Sequence, residues 1–145
     1  MKRSIWLLAA LASLFALSVA AQESPYTEGP VTQVVSIKVA AGHADEYAAY
    51  LANTWVKQQE ALKAAGIIVG YAAYSATPRG PGDANVYLTT TYANMAALDG
   101  LDARSDAAIA KALGTTPAQG QQAMAQRNAY RELLGIELVR EMKFK

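Results

Sequence analysis

The run from Ile67 to Ala76, IIVGYAAYSA, constrains the fold more than any other stretch of this chain. At period 2 it is a strand with Ile67, Val69, Tyr71 and Ala73 on one face and Ile68, Gly70, Ala72 and Tyr74 on the other. Neither face is polar, so the strand calls for cover on both sides. A single layer of helices covers one side of a sheet. The second layer must come from elsewhere in the chain or from another subunit.

Immediately upstream, Val31 to Val39 alternates, and its Val35, Ile37 and Val39 face is the one expected to meet helices. Ala40-Ala41-Gly42 ends that strand. A helix is predicted from His43 or Ala44 to Ala65, with Gly66 as its stop. At about 100° per residue, Ala44, Ala48, Leu51, Trp55 and Leu62 form an apolar stripe with Trp55 at its centre. Tyr50, Asn53, Lys57 and Glu60 point the other way. Asp45 and Glu46 near the start and Lys63 near the end suit the helix dipole.

Downstream, residues 77–84 are loop chemistry throughout, and Asn85 to Tyr92 is a third strand hairpinned to the second. Asn94 can cap a helix starting at Met95. An unbroken helix to Leu113 would put Asp102 and Asp106 on its apolar face, and burying two unpaired carboxylates is prohibitive. A break between Gly100 and Ser105 is expected, with a fresh helix capped by Asp102 or Ser105 and ended by Gly114. Thr116-Pro117 opens a further, glutamine-rich surface helix to about Arg131. Residues 135–145 alternate again, with Ile136, Leu138, Arg140, Met142 and Phe144 on one face of a fourth strand.

The order is βαββαβ with an extra helix before the last strand. This is a ferredoxin-like α+β domain with an antiparallel sheet, spanning residues 31–145. Helices on one face leave the other bare, and Val34, Ile68, Ala72, Tyr74, Tyr87 and part of the last strand are expected there. A symmetric homodimer, sheet against sheet, is the commonest way to bury such a face.

The first 21 residues stand apart. Met1-Lys2-Arg3 is basic, the stretch to Val19 is apolar, and Ser18 to Ala21 offers small residues for cleavage. This is expected to be a secretory signal peptide; an uncleaved anchor is disfavoured, because about 15 apolar residues fall short of the roughly 20 that span a bilayer. Residues 22–30, with two prolines and a glycine, read as a flexible leader. The whole chain has 13 Lys and Arg against 12 Asp and Glu; without Lys2 and Arg3 there are 11 against 12, a net charge of −1. That balance provides no attraction for nucleic acid or an anionic membrane. The chain has no cysteine, so disulfides and thiol chemistry are excluded. A periplasmic or secreted location is expected.

The run IKVAAGHADEYAAYLANTWVKQQEALKAAGIIVGYAAY, the strand NVYLTTTY and the terminal strand together resemble the dimeric α+β barrel superfamily. That superfamily includes the stress-responsive A/B-barrel, antibiotic-biosynthesis monooxygenase-like and NIPSNAP-type proteins. The shared features are a strand ending in glycine, an acidic residue and an aromatic early in the helix (Asp45, Tyr47), and a glycine before an aromatic strand (Gly66, Tyr71). The resemblance implies a homodimer whose two sheets close a barrel around a small pocket. Many of these relatives are cytoplasmic, and a signal peptide departs from that pattern.

Candidate chemistry is sparse. His43, the single histidine, could serve as a base or join Asp45 and Glu46 at a metal, but three such groups at a helix start fall short of a zinc site, and a surface position explains it more simply. Ser36 and Ser75 lack a nucleophile-elbow context. The Asn, Trp and His of haem-degrading barrel relatives find only Asn53, Trp55 and His43, all on or beside one helix. Trp55 reads as a core anchor instead. The Arg79-Gly80-Pro81-Gly82 loop could hold an anion on its amides or be an ordinary hairpin loop. Neither a metal nor a cofactor is implied. What remains is Tyr74, Tyr87 and Arg140. The tyrosines would line a pocket between the sheets; Arg140 would either add an anion-binding charge there or pair with Glu137 or Glu141 at an edge. The expected function is binding of a small hydrophobic or aromatic molecule between the sheets. The alternatives are a cofactor-free monooxygenase-type enzyme and a structural domain without a ligand.

Overall fold

The computed structural model describes residues 23–145; the expected signal peptide, residues 1–21, lies outside them. The elements are β1 (Tyr26–Val39), α1 (Ala44–Tyr50), a π-helical turn (Leu51–Trp55), α2 (Val56–Ala64), β2 (Gly70–Ser75) and β3 (Val86–Tyr92), then a 3-10 turn (Met95–Leu98), α3 (Leu101–Leu113), α4 (Pro117–Arg127) and β4 (Arg131–Phe144). The four strands form one sheet in the order β2-β3-β1-β4, every neighbouring pair antiparallel. This is the ferredoxin-like α+β arrangement. Among the described residues, no helix is long and apolar enough to cross a membrane.

Strand β1 begins five residues earlier than alternation alone predicts. Tyr26, Thr27 and Glu28 pair with Phe144, Lys143 and Met142 of β4, so most of the expected leader is strand. Its prolines and glycine misled because Gly29 and Pro30 sit in a bulge between the Glu28 and Val31 pairs, where a missing N–H is tolerated. Gly29 is needed there for space. A Cβ on it would lie 2.8 Å from the Cβ of Glu141.

The helical cover also departs from a regular α-helix. Tyr47 and Trp55 are both buried against Ile37, Val39 and Leu88. Eight residues apart in an α-helix they would diverge by about 80°. The π turn absorbs one extra residue and brings them onto one face. Trp55 meets Tyr71 edge-on, with ring centres 5.4 Å apart. It is a core residue, as its place in the apolar stripe implies.

Beyond α2, Leu62, Ile67, Ile68 and Tyr92 form a second core cluster against Leu98, Leu101 and Ile109. Ile68, expected on the bare face, is therefore buried on the helical side. The reason is that β2 starts only at Gly70, so strand alternation does not extend back to Ile68. The break before α3 occurs as expected, but its cap differs. Gly100, with φ of 62°, turns the chain, and neither Asp102 nor Ser105 caps the helix. Arg104 instead reaches back to donate to the carbonyls of Ala97 and Asp99. Helix α4 has a capping box, Thr116 accepting from the Gln119 amide and Gln119 accepting from the Thr116 amide. It ends at Arg127, and β4 then starts at Arg131, four residues before its expected beginning.

Candidate functional site

The sheet face away from the helices follows from the register. Three rows cross it: Tyr74, Tyr87, Ser36 and Gly135; then Ala72, Thr89, Val34 and Glu137; then Gly70, Thr91, Thr32 and Val139. No helix or loop of the described residues packs over these rows. The face is less apolar than the sequence suggests. Thr32 and Thr91 share a hydroxyl hydrogen bond of 3.0 Å, and the Thr89 hydroxyl donates to the Ala72 carbonyl. Small side chains fill the middle rows, and the two tyrosines stand as a wall at one end. Tyr74 is 55% exposed and Tyr87 half-buried. Such a surface is a shelf: aromatic at one side and lined with hydroxyls, with Glu137 in its middle row and the cross-strand residues Lys38 and Glu132 beyond the tyrosine row.

Tyr74 and Tyr87 are thus brought together as direct cross-strand partners. Arg140 is not with them. It pairs in register with Val31, whose partner Tyr92 faces the helices, five residues from Tyr87 and so on the opposite face. Its guanidinium bridges to Glu28 at 2.6 Å and donates to the Gly29 carbonyl, so neither Glu137 nor Glu141 is its partner. The cause is the same β1 extension that replaces the leader, since it places Glu28 beside the far end of β4.

The large exposed apolar side chains concentrate elsewhere. Leu133, Ile136, Leu138, Met142 and Phe144 are each more than half exposed, from 51% to 73%. Register with Ile37, Val35 and Gln33 puts the first three on the helical side of β4, and alternation carries the stripe on to Phe144. The helices lie over β1 and β3 and leave this edge strand uncovered.

His43 donates from Nδ1 to the Glu46 carboxylate at 2.8 Å at the start of α1. Asn53 is exposed on the π turn. Among the described residues no three His, Asp or Glu side chains gather in a way that would hold a metal ion. The amides of Arg79 and Gly80 are occupied by the Asp83 carboxylate at 2.9 Å each, so the hairpin loop supplies its own anion. Asn85 grips both the N–H and the C=O of Val39, at 2.8 and 2.9 Å, and fixes the end of β1. Buried Gln59 accepts from Thr90. The Tyr71 hydroxyl donates to Glu60, and that carboxylate pushes its pKa up.

One polar cluster has no single-motif signature. Arg127, Tyr130 and Arg131 meet His43, Tyr47 and Tyr50 where α4 runs into β4. The only sequence signal was the basic-aromatic run Arg127 to Arg131, which an expected surface helix absorbed.

These features define a ferredoxin-like α+β protein with an open sheet face and an uncovered apolar edge. No protein-family model matches the chain, and no curated protein matches it. Among solved structures, it is similar to HapK from Hahella chejuensis, with a TM-score of 0.51 at 14% identity over 77% of this chain and 91% of that one. It also matches a dimeric ferredoxin-like protein from an uncultured marine organism, with a TM-score of 0.45 at 12% identity over 80% and 95% of the two chains. Identity this low is a likeness of fold.

Proposed function

We propose that the protein is an exported homodimer that holds a small hydrophobic or aromatic molecule between the sheets of its two subunits. The carrying observation is the uncovered surface of the sheet. The β4 stripe from Leu133 to Phe144 on the helical side and the exposed Tyr74 on the opposite face leave large apolar side chains in water on both sides of the sheet, which marks interaction surfaces. A second copy set against the Tyr74 and Tyr87 face covers that face by symmetry, because an isologous contact matches one patch to itself. The shelf of Gly70, Ala72 and the threonines, walled by Tyr74 and Tyr87, leaves room between two facing sheets, and the phenols orient a guest through their hydroxyls. Export is supported by the basic and apolar N-terminal segment.

The test is sedimentation equilibrium of the mature chain together with thermal melting against a panel of planar aromatic compounds. A dimer whose melting temperature rises with one compound class, and whose response disappears in Tyr74→Ala with Tyr87→Ala, is the expected result. A dimer that no compound stabilises would leave a structural domain and sink the binding part. A monomer at micromolar concentration would sink the whole reading.

A further inference from the structure

On the helical side of the sheet, away from Tyr74 and Tyr87, two arginines are held by aromatic rings and by no acid. The Arg127 guanidinium lies 3.9 Å above the centre of the Tyr50 ring. Arg131 lies 5.9 Å from the Tyr47 ring centre and donates to the Tyr47 hydroxyl at 3.3 Å. Tyr47 and Tyr50 are themselves 5.6 Å apart. Tyr130 stacks on His43 at 5.2 Å, nearly parallel, and meets Tyr47 edge-on. The charges of both arginines are felt at the Tyr47 phenol, so both cations lie near it.

Neither arginine is in an ion pair among the described residues, and Glu46, the nearby acid of α1, is taken by His43. The Nε atoms of both are buried without an acceptor. A ring face attracts a guanidinium but accepts little from the N–H groups along its edge. A desolvated charged donor without an acceptor is costly, and two like charges in one cluster add repulsion. The missing component is an acceptor with negative charge. Planar guanidinium forks match carboxylate and phosphate oxygens in pairs.

We propose that Arg127 and Arg131 form a binding site for a small oxyanion, a carboxylate or a phosphate group, with the rings of Tyr50, Tyr130 and His43 as its walls. The site belongs to one subunit and does not depend on dimerisation or on a ligand between the sheets. The two arginines supply charge and paired donors, and the rings favour an oxyanion carried on a flat body.

The test is arginine Nε–Hε NMR on the ¹⁵N-labelled mature chain, titrated with inorganic phosphate and separately with benzoate at constant ionic strength. The expected result is a saturable shift confined to the Arg127 and Arg131 resonances, with a rise in melting temperature that chloride does not reproduce. Arg127→Gln and Arg131→Gln should each weaken the affinity at least tenfold, while Lys57→Gln should not change it. Tighter binding of benzoate identifies a carboxylate on an aromatic body, and tighter binding of phosphate identifies a phosphate group. No saturable shift of either resonance with either anion in the unmodified protein overturns the proposal and leaves the arginines as clamps between α4 and α1. That outcome is read without any variant, so a misfolded substitution cannot obscure it.

Discussion

Tyr92 is 4% exposed, its phenol enclosed with Leu62, Ile67 and Ile68. Burial pushes its pKa up, and the Asp102 charge adds to the effect. Tyr47 is shifted the same way by burial, against the opposing hydrogen bond and charge of Arg131. In both cases the neutral phenol is favoured in the folded state. The associated stability is fully present below the ordinary tyrosine pKa of about 10 and is lost as pH rises through the higher folded value. The protein should therefore lose melting temperature steeply above pH of about 10. Tyr92→Phe should flatten that loss while changing little at neutral pH, and melts paired with absorbance titration at 295 nm check it; an unchanged alkaline slope refutes the assignment. Trp55 tests packing at the same scale. It is 8% exposed and contacts both the strands and Tyr71. Trp55→Ala should cost about 3–5 kcal/mol in urea unfolding, and a loss below about 1 kcal/mol would show that the site collapses around the cavity.

Between residues and the whole lies the first helical segment, whose π turn decides which side chains enter the core. A π turn is one residue inserted into an α-helix. Removing Asn53, which is exposed, should restore a regular helix with Tyr47 seven residues from Trp55 and still on its face. Deletion of Asn53 should leave stability within about 1 kcal/mol of the parent, whereas deletion of exposed Lys57 rotates Trp55 away from Leu62 and should cost several times more, on the scale of a lost core side chain. Urea titrations of the two deletions decide it, and equal losses would refute the phase argument. This segment also shows what was legible in the sequence. Order and type of elements followed from period 2, period 3.6 and the Gly and Thr-Pro signals, and the placing of Tyr74 and Tyr87 on one sheet face followed from two alternating strands joined as a hairpin. The burial of Tyr47 did not, because a uniform turn angle places it about 80° from Trp55. Nor did the strand at Tyr26–Pro30, since its partners lie more than a hundred residues away in β4. The face of Arg140 depends on that same distant register. Long-range pairing leaves no trace in a local window.

At the scale of the molecule, the described residues cover the sheet unevenly: helices over β1, β3, the start of β2 and Arg131 at the start of β4, and nothing over the rest of β4 or over the opposite face. Strand β4 is also an edge, 14 residues long, with Leu133, Ile136, Leu138, Met142 and Phe144 exposed along it. A long apolar edge strand invites pairing with any other chain unless a specific partner occupies it. Of the charges along β4, Arg140 is paired with Glu28 and Lys143 lies 3.7 Å from Glu141, which leaves Glu132 and Glu137 as the acids facing a second strand. If a second copy is the occupant, stability is tied to subunit concentration through mass action. The melting temperature of the chain from Gln22 to Lys145 should then rise with protein concentration. Ile136→Glu combined with Leu138→Glu should yield a monomer whose melting temperature is lower and independent of concentration, because both carboxylates would be buried against the symmetry mate. Neither side chain reaches the core of its own subunit, so the folded monomer should keep its far-UV circular dichroism. Sedimentation equilibrium and melts over a hundredfold concentration range separate the outcomes. A double variant that remains dimeric would move the interface off β4 and onto the Tyr74 and Tyr87 face alone.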